Sequence, residues 1–277
     1  MKHALVAVDN EQASQRAVDW AIRRGERTPT ELRVVSIEEE FWEEPPASEV
    51  VLAGVASRIA HVMPSQPEST SVLAGPIAET LIELSRQSDL LIIGSHRRHP
   101  VRAALAGSLP LRIAGRSHCT TVVVPEDWEP REGGIIVGID DDESCTAALD
   151  FAAMEAARLS LPLEIVHAWS TWEPWAVVAL VSPQDAVVEA LHRDHLSAAV
   201  ARAQSVAPGI LIRPRLVSGT AHDALLQSTG GAELIVIGTH RHSPLVEWAV
   251  DGAALALMAA TNVPIAVVPI EAPVADE

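Results

Sequence analysis

Short apolar runs alternate with longer amphipathic stretches along the whole chain. In the first half, runs rich in Val, Ile and Leu predict strands near residues 4–8, 32–37, 70–73, 89–93 and 120–124. Apolar residues at helical spacing predict helices near residues 12–27, 48–62, 77–87 and 103–115. Because the short runs are apolar throughout, we expect both faces of each strand to be buried, as in a parallel sheet covered by helices.

The two halves of the chain repeat this pattern. ALVAVDN at 4–10 recurs as IIVGIDD at 135–141, and DLLIIGSHRRHP at 89–100 recurs as ELIVIGTHRHSP at 233–244. Three further matches keep the same order: LRVVSIEEE with LEIVHAWST, VLAGPIAETLIEL with LVSGTAHDALLQS, and CTTVVVPED with NVPIAVVPIEA. The chain is therefore a duplication. We predict an α/β fold of two tandem Rossmann-like domains, residues 1–130 and 131–277, each a five-stranded parallel sheet with helices on both faces.

Composition narrows the function classes. Lys2 is the only lysine, which excludes a P-loop, a pyridoxal enzyme and a phosphoacceptor receiver domain, because each needs a lysine at a set place. The net charge of −17 argues against nucleic-acid binding. No run of about 18 uncharged apolar residues and no apolar leader stands in the chain, so we expect a cytoplasmic protein without a membrane partner.

Charged residues are distributed unequally between the two halves of the chain. Residues 1–132 hold 14 Lys and Arg against 19 Asp and Glu, while residues 133–277 hold 6 against 18. A small anion is therefore expected to prefer the first copy. Cys119 and Cys145 lack metal-ligand spacing and are expected to be buried or incidental thiols.

The ends of the first and fourth strands are the candidate site, because ligands of such sheets lie beyond the carboxyl ends of the strands. Asp9 or Asp140 ends the first strand of its copy, and Gly94 or Gly238 ends the fourth. Each aspartate is suited either to a base amine or ribose hydroxyl, or to capping the following helix. Residues 141–143 are also acidic, and they would repel a phosphate at the second site.

Backbone amides of the turn after the fourth strand and the next helix N-terminus are suited to phosphate. Gly107 and Ser108 follow Gly94 at the predicted start of the last helix. The order strand-Asp, strand, G-x-x-G-x9-G-[S/T] and a strand of the type CPVLVVP resembles the universal stress protein family in its tandem form, over nearly the whole chain. The resemblance implies an adenine nucleotide α-hydrolase-like fold. One branch of that family binds ATP through the glycine motif, and another lacks the motif and does not.

The resemblance assigns roles in the first copy to Asp9 and Ile37 as adenine contacts, and to Gly94, Gly107 and Ser108 as phosphate contacts. Arg97 stands where the family has its middle glycine. This change removes backbone freedom but adds a guanidinium, with Arg98 and Arg102 nearby, that is suited to phosphate.

In the second copy Asp140, Ala168 and Gly238 match the family pattern. The middle glycine is Arg241, and the final pair is Asp251 and Gly252, which places a carboxylate where the family presents an amide to phosphate. Family members commonly dimerise through their last strands. The resemblance therefore also implies intramolecular pairing of the two copies, or a homodimer.

The sequence gives only weak evidence for metal binding or catalysis. The histidine pairs at 96 and 99 and at 240 and 242 have different spacings and no clear carboxylate partner, so we expect no metal site. Trp169, Trp172 and Trp175 are suited to covering the crevice, to a subunit contact or to core packing. No GxSxG elbow or paired acid and base is present, so we expect no catalytic residue and at most slow ATP hydrolysis.

Two functions remain open. The first is a stress-response signalling protein that binds ATP, with Mg, or a related adenine nucleotide in its first copy while the second is degenerate. The alternative is a nucleotide-free scaffold that acts through protein contacts, which Arg97, Arg241 and Asp251 favour. A small hydrolase of the adenine-nucleotide group ranks last, because the chain lacks an SGGxDS-type loop.

Overall fold

The computed structural model describes residues 3–39, 48–66, 68–96, 109–140, 144–169, 184–239 and 252–269, and of residues 144, 184–186 and 252–255 only the backbone. The first copy forms strands β1 (His3–Ala7), β2 (Glu31–Glu38), β3 (Glu68–Ala74), β4 (Leu90–Ser95) and β5 (Thr120–Pro125). Its helices are α1 (Gln12–Arg27), α2 (Ser48–Val62), α3 (Ile77–Leu84) and α4 (Leu109–Arg116), with a 3₁₀ turn over Ser85–Gln87. The predicted elements are confirmed, apart from residues 103–108, which lie outside the described residues.

The second copy repeats this order. Its strands are β6 (Ile135–Ile139), β7 (Leu163–Trp169), β8 (Ile212–Ser218), β9 (Leu234–Thr239) and β10 (Ile265–Pro269). Its helices are α5 (Ser144–Leu159), α6 (Gln184–Val206), α7 (Ala221–Ser228) and α8 (Gly252–Ala260). No helix within the described ranges is both long and apolar enough to span a bilayer.

The ten strands form one sheet in the order β3-β2-β1-β4-β5-β10-β9-β6-β7-β8. Strands of one copy pair in parallel, and β5 pairs with β10 antiparallel. At this junction Val122 lies opposite Ala266. Each stands three residues before the proline that ends its strand. Equivalent positions of the two copies therefore face each other about an approximate twofold axis.

Helices cover both faces of the sheet, as predicted for strands that are apolar throughout. One core contains side chains of α1, α2, α5 and α6, and it runs without a break through both copies. The other contains side chains of α3, α4, α7 and α8. Consecutive residues of a strand point to opposite faces, so Leu5 and Ile136 are in the second core while Val6 and Val137 are in the first. The fold class is confirmed.

A buried ion pair crosses between the copies. Arg24 of α1 donates from Nε to Glu155 Oε1 of α5 at 2.5 Å and from Nη2 to Oε2 at 3.0 Å. The side chains are 3% and 0% exposed. Each residue follows the aspartate that ends its first strand by the same number of positions. The pair is therefore a second place where equivalent positions meet, and it carries opposite charges.

The connecting segment is held against both copies. Arg23 of α1 donates to Glu233 Oε1 at 3.2 Å and to the carbonyl oxygen of Arg131 at 2.7 Å. The amide of Arg131 donates to the other oxygen of Glu233 at 3.3 Å. The predicted boundary between residues 130 and 131 lies in this segment, and it stays a prediction.

Candidate functional site

The sheet topology brings the candidate residues of the first copy to one edge. Strand β1 lies between β2 and β4, which is the point where the strand order changes direction. Asp9 follows the end of β1, Ile37 is the penultimate residue of β2, and Gly94 is the penultimate residue of β4. The parallel strands end at the same edge, so these three residues border the crevice in which ligands of such sheets lie.

Asp9 is exposed and organises the turn into α1. Its Oδ1 accepts a hydrogen bond from the amide of Glu11 at 2.9 Å, and its own amide donates to Ser14 Oγ at 3.2 Å. Helix α1 begins at Gln12 as predicted, but its N-cap residue is Glu11, without a side-chain cap bond. Asp9 is thus not the N-cap. Its Oδ2 accepts no hydrogen bond from the described part of the chain.

Gly94 is required by helix packing. A Cβ atom on this residue would lie 2.3 Å from the carbonyl carbon of Ala13 and 2.7 Å from the amide nitrogen of Ser14. Both are backbone atoms of the first turn of α1, which a side chain could not displace cheaply. Packing against α1 therefore explains the need for glycine at this position without a ligand. Its role in phosphate binding stays a prediction.

The predicted phosphate half of the site lies outside the described residues. This applies to Arg97, Arg98, His99, Arg102, Gly107 and Ser108. His96, just before them, places Nδ1 at 2.9 Å from Glu126 Oε2. His96 is thus in contact with a carboxylate that follows β5.

The second copy builds its first-strand turn in the same way. The amide of Asp140 donates to Cys145 Sγ at 2.7 Å, where the first copy uses Asp9 and Ser14. Ala168 and Gly238 lie near the ends of β7 and β9, at the same edge of the sheet. Gly252 begins α8. Residues 240–242, Asp251 and the tryptophans at 172 and 175 lie outside the described residues.

Three histidines that the sequence reasoning missed meet beside this edge. His167 of β7 and the α6 residues His192 and His195 bring their ring nitrogens within 4.8 Å of one another. A sequence signal was present, since two histidines three residues apart share one helix face. Neither spacing nor periodicity indicated that α6 would lie over His167, the residue before Ala168.

The two cysteines are free thiols. Cys119 is buried, and burial, together with the nearby Asp89 carboxylate, raises its pKa to about 12. It therefore stays protonated at neutral pH and is a poor nucleophile. Cys145 is half-buried and belongs to the Asp140 turn.

Known proteins share both the fold and the repeat. Universal stress protein Rv1996 of Mycobacterium tuberculosis (strain ATCC 25618 / H37Rv) is 27% identical over 274 residues, 85% of each chain. Universal stress protein Rv2623 of the same strain is 26% identical over 258 residues, again 85% of each chain. A universal stress protein of Archaeoglobus fulgidus DSM 4304 superposes with a TM-score of 0.72 over 96% of both chains at 17% identity, which supports the fold.

The family model described as "Universal stress protein family" matches twice, at residues 1–125 and 134–269. These two matches cover both copies of the repeat and all ten of the described strands. The chain belongs to the universal stress protein family, in a form that carries two copies of the domain in tandem.

Proposed function

We propose that the first copy binds ATP, with Mg, or a related adenine nucleotide, and that occupancy of this site signals to protein partners in a cytoplasmic stress response. The observation that carries the proposal is the convergence of Asp9, Ile37 and Gly94 at the carboxyl edge of β1, β2 and β4. This edge, at the change in strand order, is where nucleotides bind in open α/β sheets.

The chemistry of the edge suits the base and sugar end of a nucleotide. Asp9 Oδ1 is held by the amide of Glu11, which fixes the carboxylate and leaves Oδ2 available to an exocyclic amine or a ribose hydroxyl. Ile37 is partly buried and offers an apolar surface beside it. For the phosphates we rely on Gly107, Ser108 and the guanidinium of Arg97, which is suited to two phosphate oxygens at once.

The second copy is proposed to be degenerate toward nucleotide. Asp140, Ala168 and Gly238 lie at the carboxyl ends of the second copy's own strands, but the acidic residues 141–143 follow Asp140 directly. The second copy also carries most of the excess negative charge. Both features oppose a polyphosphate.

The alternative is a nucleotide-free scaffold, and two observations favour it. Gly94 is needed for the approach of α1 whether or not a ligand is bound. The β5 and β10 edges, through which family members commonly dimerise, pair with each other within the chain. Under this alternative the function lies on the outer surface of the paired copies.

Calorimetric titration of the nucleotide-stripped protein with ATP and Mg tests the proposal, after mass spectrometry of what the protein carries as purified. We expect one site per chain. Asp9→Ala should weaken ATP binding and reduce discrimination against GTP, and Arg97→Ala should cost about 1–3 kcal/mol of binding free energy.

The matched control is Asp140→Ala, which alters the equivalent turn of the second copy and should leave ATP affinity unchanged. No binding at millimolar ATP and no co-purified nucleotide would favour the scaffold. Equal effects of the Asp9 and Asp140 substitutions would contradict the assignment of the site to the first copy.

We also propose that the β5–β10 pairing of the two copies within one chain leaves the protein free to be monomeric. Light scattering on a size-exclusion column measures the mass directly. A stable homodimer would show that a surface other than the β5–β10 junction associates.

A further inference from the structure

The three-histidine cluster of the second copy is built from a strand and a helix. His167 is 1% exposed near the carboxyl end of β7, while His192 is half-buried and His195 is exposed on α6. His167 Nε2 lies 2.8 Å from His192 Nδ1. The ring centroid of His195 is 6.5 Å from the centroids of both other rings.

Hydrogen bonding fixes the tautomer of the buried ring. His167 Nδ1 lies 3.1 Å from the carbonyl oxygen of Ile139, which can only accept a hydrogen bond. The proton of neutral His167 is therefore on Nδ1, and the lone pair of Nε2 points toward His192. A backbone carbonyl that holds the far nitrogen of an imidazole is the usual outer support of a metal-ligating histidine.

His192 is oriented from two sides. Its Nδ1 faces His167, and the Trp169 ring stacks on its imidazole at a centroid distance of 5.6 Å and an interplanar angle of 28°. Without a metal, Nδ1 of His192 donates its proton to Nε2 of His167. If the proton moved to Nε2 of His192, both facing nitrogens would present lone pairs, and a cation could take the place of the shared proton.

The first copy shows that the fold does not require histidines at these positions. Ser36 precedes Ile37 as His167 precedes Ala168, and Ser48 stands as far from the end of α2 as His192 stands from the end of α6. The two hydroxyls are 3.2 Å apart and buried. Packing is thus satisfied there by two small hydroxyl groups, whereas the second copy places two imidazoles and adds His195.

The dimensions and charges suit a divalent cation. Tetrahedral zinc with nitrogen ligands at 2.0–2.1 Å needs nitrogens about 3.3 Å apart. The ligand nitrogens lie within 4.8 Å of one another, and the facing nitrogens of His167 and His192, 2.8 Å apart, would separate slightly to admit the ion. Three neutral imidazoles suit zinc, copper, nickel or cobalt rather than magnesium or calcium. The excess of acidic residues in the second copy favours a cation further.

We propose that His167, His192 and His195 form a site for a late first-row transition metal, with zinc as the expected occupant. His167 and His192 contribute Nε2 and Nδ1, and His195 closes the site from the exposed side. Three protein ligands leave a fourth position, which faces solvent beside His195 and is open to water or an anion. The metal site of the second copy would thus lie near the carboxyl ends of its strands, the position equivalent to the proposed nucleotide site of the first copy.

The test uses the full chain, prepared without a polyhistidine tag, freed of metal by chelation and kept free of nucleotide. Titration with Co²⁺ reports geometry, because tetrahedral Co²⁺ absorbs visible light far more strongly than octahedral Co²⁺. Zn²⁺ should then displace Co²⁺ with one ion per chain. Zn²⁺ should also raise the unfolding temperature, because only the folded chain brings the three ligands together.

Three variants locate the site. His195→Ala removes an exposed ligand, and we expect a loss of zinc affinity of at least roughly 100-fold, since even changes outside the ligand set cost 10–100-fold. His167→Ser combined with His192→Ser reproduces the hydroxyl pair of the first copy, so it should fold and lose the site. His222→Ala is the control, because this half-buried histidine of α7 lies in the same copy outside the cluster, and its loss should leave zinc affinity unchanged.

Circular dichroism confirms that each variant is folded. An absence of stoichiometric binding at micromolar Zn²⁺, or a weak octahedral spectrum with Co²⁺, would overturn the proposal. So would a zinc affinity that the cluster variants leave unchanged, or one that His222→Ala lowers equally. The ATP titration is performed separately, so failure of either site is read independently of the other.

Discussion

The ion pair between Arg24 and Glu155 should be the most sensitive polar contact of the interface between the copies. Both side chains are almost wholly buried, and both guanidinium-carboxylate hydrogen bonds are present. Arg24→Met leaves the carboxylate with Arg158 at 3.7 Å as its nearest described cation. Glu155→Leu leaves the guanidinium with the hydroxyl of Thr30 at 3.1 Å.

Each single change should cost about 3–5 kcal/mol of unfolding free energy, because it removes the opposite charge and two hydrogen bonds from a buried ion. The double variant removes both charges and replaces them with apolar side chains of similar length. We expect it to be more stable than the sum of the single losses predicts, with a coupling energy of up to about 3 kcal/mol. Urea unfolding followed by fluorescence and by circular dichroism measures all four proteins.

An exposed pair with similar geometry serves as the control. Arg202 donates two hydrogen bonds to Asp150 at 2.7 and 2.6 Å, but its side chain is 46% exposed. The pairing raises the pKa of Arg202, and solvent screens it. Arg202→Met should therefore cost at most about 1 kcal/mol. If the buried and exposed pairs cost the same, or if the two buried changes add without coupling, burial is not what makes Arg24 and Glu155 matter.

Glycine substitutions and thiol labelling test two further features. Gly94→Ala should destabilise the protein by about 1–3 kcal/mol, because the new Cβ would lie 2.3 Å from the backbone of Ala13. The Cβ of Gly54→Ala in α2 would meet nothing within 4 Å, so this substitution should stabilise the protein by about 0.5–1 kcal/mol. Urea midpoints compare the two, and equal effects would contradict the packing argument. Cys119, with its pKa raised to about 12, should resist alkylation at mildly alkaline pH until the protein is unfolded, while the half-buried Cys145 is labelled first. Mass spectrometry counts the labels, and double labelling of the native protein would show that the Cys119 site opens.

The repeat and the strand pattern were enough to predict most of the fold. Val, Ile and Leu runs mark strands that are buried on both faces, and α1 and α2 have the bounds that apolar spacing predicts. The sequence could not predict the direction in which β5 pairs with β10. Both strands are apolar, so parallel and antiparallel pairing would bury the same side chains. Register at this junction depends on side chains of both copies packing together.

Individual site residues were harder to interpret than elements. Arg24 follows Arg23 in an ordinary amphipathic stretch, and only the fold shows that one is buried against Glu155 while the other contacts Glu233. His167 and His192 are separated along the chain and meet only when α6 packs on β7. Such contacts depend on tertiary structure, which the local periodicity of the sequence does not predict.

The facing positions at the approximate twofold axis limit how the two copies can be combined. In a dimer of identical subunits a residue on the axis meets itself, so a buried arginine there would face a second arginine. In a chain that carries both copies each position can differ, and Arg24 opposite Glu155 is such a difference. The halves are then no longer interchangeable. Two first halves brought together in this geometry would bury like charges, so this interface needs one copy of each kind.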